Sequence, residues 1–207
     1  MEIEYVKGNI SIRKELLSLD NFVLAFIELL DKSSIDYVIV SGYVGIFFGR
    51  SRNTEDVDIL IERCDSKKFQ EFWSLTMQKF ECMNAKNQED AYKEYLSNDS
   101  SLRFYEKNNF IPNMELKFVK NDFDKLTLKT KNQINLNNKY RMFFSSFELQ
   151  IAYKLFLGAQ KDIEDARFLY KLFNKELDRR IFEGALFVLK IPSQMLSYLG
   201  DDYEKKS

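Results

Sequence analysis

The 207-residue sequence contains no histidine. That absence excludes Ser-His-Asp and Cys-His nucleophilic sites, histidine-ligated zinc and any imidazole base. Chemistry must come from carboxylates, lysine, arginine, tyrosine, hydroxyls or thiols. Carboxylates without imidazole favour hard cations such as magnesium or manganese. Cysteine is scarce as well: Cys64 and Cys82 lack metal-type spacing and are too few for a disulfide framework, so they read as ordinary thiols in a reducing compartment. With only two prolines, Pro112 and Pro192, and seven glycines, no flexible linker is visible, and there is no internal repeat or low-complexity tract. No uncharged apolar run approaches the roughly 18 residues that a membrane span needs. The opening MEIEYVKGNISIRKELL has no apolar stretch of the kind a signal peptide carries. The expectation is a soluble, cytoplasmic protein with no membrane association. Excess charge is missing too: 31 Lys+Arg stand against 32 Asp+Glu, a net charge of -1. A polyanion would find no bulk attraction, so any nucleic-acid contact would be a local patch.

What is present is apolar and aromatic. Apolar residues make up 45%, with 19 Phe and 11 Tyr, enough for a sizeable core in one domain with a helical appendage. The first half alternates elements. Phe22, Val23, Phe26, Ile27 and Leu30 have helical spacing after Asp20, a candidate N-cap. Tyr37-Val38-Ile39-Val40 is a β-rich run that enters a turn at Ser41-Gly42, and Val44 to Phe48 reads as a short helix closed by Gly49. Val57-Asp58-Ile59-Leu60-Ile61 is a second strand, Ser66 to Phe80 an amphipathic helix and Glu89 to Leu96 a fainter one. Leu102 to Tyr105 and Met114 to Val119 read as further strands. The polar, Asn-rich stretch from Lys125 to Tyr140 suggests loops or an exposed hairpin.

From Ser145 the pattern turns helical. Ser145-Ser146-Phe147-Glu148 matches a capping box, and helices are expected from there to Phe156, over Asp162 to Phe173, Glu176 to Lys190 and Ser193 to Leu199. The charged tail from Asp201 to Ser207 is expected to fray. The architecture expected is a mixed α/β (α+β) fold, with an α/β core over residues 1–143 and a helical region over residues 144–207.

One segment carries chemistry: Val40-Ser41-Gly42-Tyr43, then Gly49-Arg50-Ser51-Arg52-Asn53-Thr54-Glu55-Asp56-Val57-Asp58-Ile59. Side chains at i and i+2 on a strand share a face, so Asp56 and Asp58 would project together, roughly 7 Å apart at Cα, with Val57 and Ile59 facing the core. Two carboxylates so placed can share divalent ions, as phosphoryl transfer requires. In Met114-Glu115-Leu116-Lys117-Phe118 the apolar residues alternate towards a core and leave Glu115 and Lys117 on the other face, which makes Glu115 a third candidate carboxylate. Each piece also has a plain reading. Asp-x-Asp is common in turns, and Arg50 and Arg52 would ordinarily be solvated. Asp162 and Asp165 near a helix start favour the macrodipole without any function. Lys154, bordering Ile151 and Leu155, could simply snorkel. Tyr43 could stack on a base or pack in the core.

Taken in order, these residues resemble the nucleotidyltransferase superfamily, and within it the small prokaryotic branch of minimal and AbiEii-like enzymes. That pattern has a hydrophobic residue, Gly, then Gly or Ser, followed after a short helix by Asp-x-Asp or Asp-x-Glu and by a third acid on a later strand. Here it runs through Val40, Ser41, Gly42, Asp56, Asp58 and Glu115, with Arg52 and Thr54 before the acidic pair. Lys154 and Lys161-Asp162-Ile163-Glu164-Asp165-Ala166 extend the likeness into the helical part, over about residues 35–175 in all. Ser41 stands where the pattern has its first Gly. The resemblance implies a nucleotidyltransferase-type sheet flanked by helices and transfer of a nucleoside monophosphate from an NTP to a protein or RNA hydroxyl. It implies magnesium or manganese on Asp56, Asp58 and Glu115, these three as the catalytic acids, and Ser41, Gly42, Arg50 and Lys154 on the nucleotide. It also implies a toxin–antitoxin setting with a small helical partner protein. The alternative is a non-catalytic nucleotide-binding or antitoxin-like module of the same fold.

Overall fold

The computed structural model describes residues 2–6, 8–200 and 203. Among these, nine strands form one mixed sheet in the order β1-β2-β8-β9-β3-β4-β7-β6-β5. The chain begins with β1 (Glu2–Val6) and β2 (Asn9–Arg13), an antiparallel pair, followed by helix α1 (Ser18–Lys32). Strand β3 (Tyr37–Val40) leads through Ser41 into the short helix α2 (Gly42–Phe47), and β4 (Asp56–Ile61) returns antiparallel to β3. Helix α3 (Ser66–Thr76) precedes β5 (Phe80–Cys82). After a single helical turn, α4 (Gln88–Asp90), come β6 (Leu102–Glu106) and β7 (Asn109–Phe118). Helix α5 (Asp122–Lys129) and the hairpin of β8 (Asn132–Leu136) and β9 (Tyr140–Phe144) complete the strands. Then come α6 (Phe147–Leu157), α7 (Gln160–Phe173), α8 (Arg179–Val188) and α9 (Ser193–Leu196). No helix among the described residues is long and apolar enough to cross a membrane.

The alternation read in the sequence is the alternation of burial. In β4, Val57, Ile59 and Ile61 are fully buried while Asp56, Asp58 and Leu60 are half-buried on the other face. One side of the sheet is sealed by α1 and α3 through an aromatic knot, in which Phe26 meets Phe72, Phe80 and Phe104 at centroid distances of 5.8, 5.2 and 5.5 Å. Edge and tilted contacts of this kind suit the ring quadrupole. The end of β9 is joined to the helices by Phe48, which packs on Phe144, Phe147 and Phe173.

Four local expectations are corrected. The capping box at Ser145–Glu148 does not form: the Ser145 hydroxyl donates to Gln150 Oε1 at 2.7 Å, and Glu148 accepts from the Asp178 amide at 2.8 Å. Tertiary partners have taken both side chains. The stretch from Lys125 to Tyr140 is no exposed loop; Asn132, Ile134 and Leu136 point inward, and β8 pairs in parallel with β2. The helix expected at Glu89–Leu96 is α4 followed by a wide turn over Ala91–Tyr95 and a tight one over Leu96–Asn98. Asp20 lies inside α1 and does not cap it from outside. Its buried carboxylate accepts from the Leu17 amide and the Tyr43 hydroxyl, and pairs with Lys14. The expectation for the tail falls on residues that are outside the described set, apart from Tyr203.

Candidate functional site

The acids come together through strand register. Strand β4 runs parallel to β7, with Asp56 opposite Asn113 and Asp58 opposite Glu115. Register partners point to the same side of a sheet, and so do residues two apart. Asp56, Asp58, Asn113, Glu115 and Lys117 therefore share one face. Lys117 Nζ lies 2.6 Å from Glu115 Oε1 and 3.5 Å from Asp58 Oδ1. From β6, Arg103 donates to the other Glu115 oxygen at 2.7 Å. Thr54 Oγ1 donates to the Asp56 backbone carbonyl at 2.8 Å and lies 3.2 Å from Asp56 Oδ1, fixing the start of the acidic strand.

Electrostatics separate these carboxylates. Burial pushes the Asp58 carboxyl above the usual range, with Glu115 and Asp56 adding to the effect, while Lys117 and a hydrogen bond from Ser41 hold it down. Burial also pushes Glu115 up, but Lys117 and Arg103 outweigh it and leave its carboxyl below the usual range. The raised group has a consequence for stability. A carboxyl whose folded pKa exceeds its unfolded value costs nothing below the unfolded pKa, and destabilises once pH rises through the folded pKa. Asp58→Asn should therefore raise the melting temperature of the ligand-free protein at neutral pH, and the difference should shrink as pH falls into the acid range. A melting series from pH 7 to pH 4 checks this; an Asn variant less stable at neutral pH would contradict it.

The turn before the acids is strained and clamped. Ser41 has φ 67° and ψ -140°, a conformation that L-residues avoid. Gln150 of α6 holds both sides of it, accepting from the Ser41 amide at 3.2 Å and donating to the Ser41 carbonyl at 2.7 Å. At Gly42 a Cβ would sit 2.5 Å from Arg52 Nη2, so a side chain there would displace the guanidinium that lies against the backbone. Tyr43 packs in the core, with its hydroxyl 2.7 Å from Asp20 Oδ1.

A cavity of about 290 Å³ opens beside the acids. Ser41, Asp58 and Lys117 contribute polar walls; Leu60, Phe123 of α5 and Tyr153 of α6 contribute apolar ones. Phe123 and Tyr153 stack, with centroids 5.7 Å apart.

Of the residues expected on the nucleotide, Gly42, Arg50 and Lys154 do not line this cavity. Lys154 is 2% exposed. Its ammonium is 2.5 Å from Asp162 Oδ1 and 3.1 Å from Asp165 Oδ2. Arg50 spends its guanidinium on Asp165 at 2.5 Å and Glu164 at 2.8 Å, and Arg52 meets the second Asp165 oxygen at 2.7 Å. This network ties the loop before β4 to α6 and α7. Gln150 and Arg103 carry no local signal in the sequence, and Lys117 and Arg52 carry only a face and a place in the motif, because each acts through a partner distant in sequence or on a neighbouring strand.

Whether the donors suit a divalent cation can be judged from their chemistry. Asp56 and Asp58 supply hard oxygens on one face. Asn113, beside Asp56, has a buried side-chain carbonyl oxygen with no hydrogen-bond partner. The raised Asp58 carboxyl is a group that a cation would relieve. Glu115 is already compensated by two cations, and among the described residues no three acidic or thiol side chains stand close enough to hold an ion together. The acidic pair fits a hard cation; Glu115 does so only if Lys117 moves.

No family model matches the chain, and no curated protein sequence matches it. Solved structures do match. One is an antigenic nucleotidyltransferase-like protein from Paracoccidioides brasiliensis, with a TM-score of 0.51 and 18% identity, covering 89% of this chain and 94% of that one. Another is ANT(2'')-Ia in complex with adenylyl-2''-tobramycin, at a TM-score of 0.49 and 10% identity, covering 84% of this chain and 98% of that one. At these identities the likeness is one of fold, and it rests on the first of the two: the chain has the nucleotidyltransferase-type α/β fold.

Proposed function

We propose that the chain is a metal-dependent nucleotidyltransferase that moves a nucleoside monophosphate from an NTP to a hydroxyl of a protein or RNA. The observation that carries this reading is the pairing of Asp56 and Asp58 on one face of β4, with Asp58 at the wall of a cavity that also holds Ser41 and Lys117. Magnesium or manganese, when bound by the acidic pair, would supply positive charge to the triphosphate oxygens. The chain's own residues do the rest. Tyr153, Phe123 and Leu60 give the nucleoside an apolar wall within a volume of about 290 Å³, near the low end of the roughly 300–1,000 Å³ usual for small-ligand sites. Glu115, opposite Asp58 on the neighbouring strand, would take up the acceptor's proton. Arg52, over Gly42, is the cation nearest the turn that would meet phosphate. In this reading Arg50 and Lys154 act indirectly, by fixing Asp165 and with it Arg52. A toxin–antitoxin setting with a small helical partner and a cytoplasmic location belong to the same proposal.

A non-catalytic nucleotide-binding module is the second reading, favoured by the Arg52 guanidinium that covers Gly42. Incubation with magnesium, each NTP labelled at its α-phosphate, and a cell lysate separates the two. Label should enter a fraction destroyed by protease or by ribonuclease, naming the acceptor class. Binding of label without transfer to either would leave the module.

A further inference from the structure

Glu115 and Asp58 are register partners on neighbouring strands, and both lean on one lysine. Lys117 spans them, with Nζ 2.6 Å from Glu115 and 3.5 Å from Asp58. Glu115 also has Arg103 on its second oxygen, at 2.7 Å. What Lys117 adds is positive charge between two carboxylates that otherwise repel. Such a charge does what a bound cation does, holding the two groups in place against their repulsion. The lysine is also free to leave. Its side chain is 36% exposed and lines the cavity, and an ammonium on a four-carbon stem is a movable point charge. Asp56, Asp58 and Glu115 against Arg103 and Lys117 leave one net negative charge. A divalent cation on the acids would turn that sign, and the nearest like charge it would repel is Lys117.

From this geometry we infer that Lys117 is a positioning residue and a tethered competitor: it holds Asp58 and Glu115 together until a divalent cation binds, then gives way and turns its ammonium towards the cavity. The inference rests on the cation site proposed above.

The test uses Mn2+ alone, titrated into the whole protein and followed by the magnetic resonance of the free ion, with melting curves in parallel. Lys117→Met should bind Mn2+ about tenfold more tightly than the unaltered chain, since a nearby like charge is gone. It should melt lower in metal-free buffer and recover most of that loss when Mn2+ is added. Lys117→Arg should stay near the unaltered chain in both respects. Equal Mn2+ affinity in Lys117→Met, with the same melting loss whether or not Mn2+ is present, would make Lys117 an ordinary structural ion pair and overturn the inference. Should Lys117→Met fail to fold, the unaltered chain still decides. Acetylation of Lys117 by acetic anhydride, read on its peptide by mass spectrometry, should quicken severalfold when Mn2+ saturates the protein; no change or protection would overturn the inference. If neither the unaltered chain nor Lys117→Met binds Mn2+, the Asp56–Asp58 cation site itself falls, and this inference falls with it.

Discussion

Lys154→Ala should destabilise the protein by about 3–5 kcal/mol, as expected when one partner of a buried ion pair is removed. The side chain is 2% exposed, and its ammonium lies against Asp162 and Asp165, which are themselves buried. Asp165 would keep Arg50 and Arg52, but Asp162 would lose its ion pair inside the protein. At roughly 2–4 °C per kcal/mol for a chain of this size, the melting temperature should fall by about 6–20 °C. A lysine that only snorkelled at a helix rim would cost less than about 0.5 kcal/mol. Lys154→Met combined with Asp162→Leu should recover much of the loss, because replacing both charges removes the unpaired one. Denaturant unfolding of the two variants beside the unaltered chain decides the matter; Lys154→Ala within about 0.5 kcal/mol of the unaltered chain would rule out a buried pair.

The second large effect is on ligand-linked stability. Magnesium with the preferred NTP, at ~100 times its dissociation constant, should add roughly 2.7 kcal/mol, or about 5–10 °C in melting temperature. Asp58→Asn should abolish most of this gain while leaving the ligand-free variant at least as stable at neutral pH, because the carboxyl it replaces is pushed up by burial. The pairing of these two results separates a site residue from a structural one. A variant that loses ligand response by losing its fold would melt lower in both conditions. No response from the unaltered chain to any of the four NTPs at millimolar concentration would count against a nucleotide site.

Much of the centre of the sheet was legible in the sequence because period-two alternation is a local signal. Val57, Ile59 and Ile61 declare one face of β4 and thereby place Asp56 and Asp58 on the other. The same alternation in β7 placed Glu115 and Lys117 together. The edges were less legible. In β8 the inward positions are Asn132, Ile134 and Leu136, and the intervening residues are Gln133 and Asn135, so polarity masked the alternation. A turn signal was present: Asn137 and Asn138 both take positive φ, as a tight hairpin requires and asparagine tolerates. In β1, glutamates at positions 2 and 4 hid Ile3 and Tyr5, which pack against the core.

What sequence could not supply is pairing at long range. Gln150 clamps Ser41 across 109 residues, and Asp165 gathers Arg50 and Arg52 across more than a hundred. Lys154 and Asp162 were each visible, but whether they face solvent, phosphate or each other depends on how α7 packs on α6. Lys117 shared a face with Glu115 on paper. That it stands between Glu115 and Asp58 follows from the β4–β7 register, which no local pattern encodes.

The measurement that bears most directly on the central claim is pyrophosphate release from NTP in the presence of magnesium and a lysate supplying acceptors, compared between the unaltered chain and Asp58→Asn. Release by the unaltered chain that requires magnesium, stops with chelator and is absent from the variant is the result the account predicts. Equal release by both proteins, or NTP binding by the unaltered chain with no release under any condition, would contradict it.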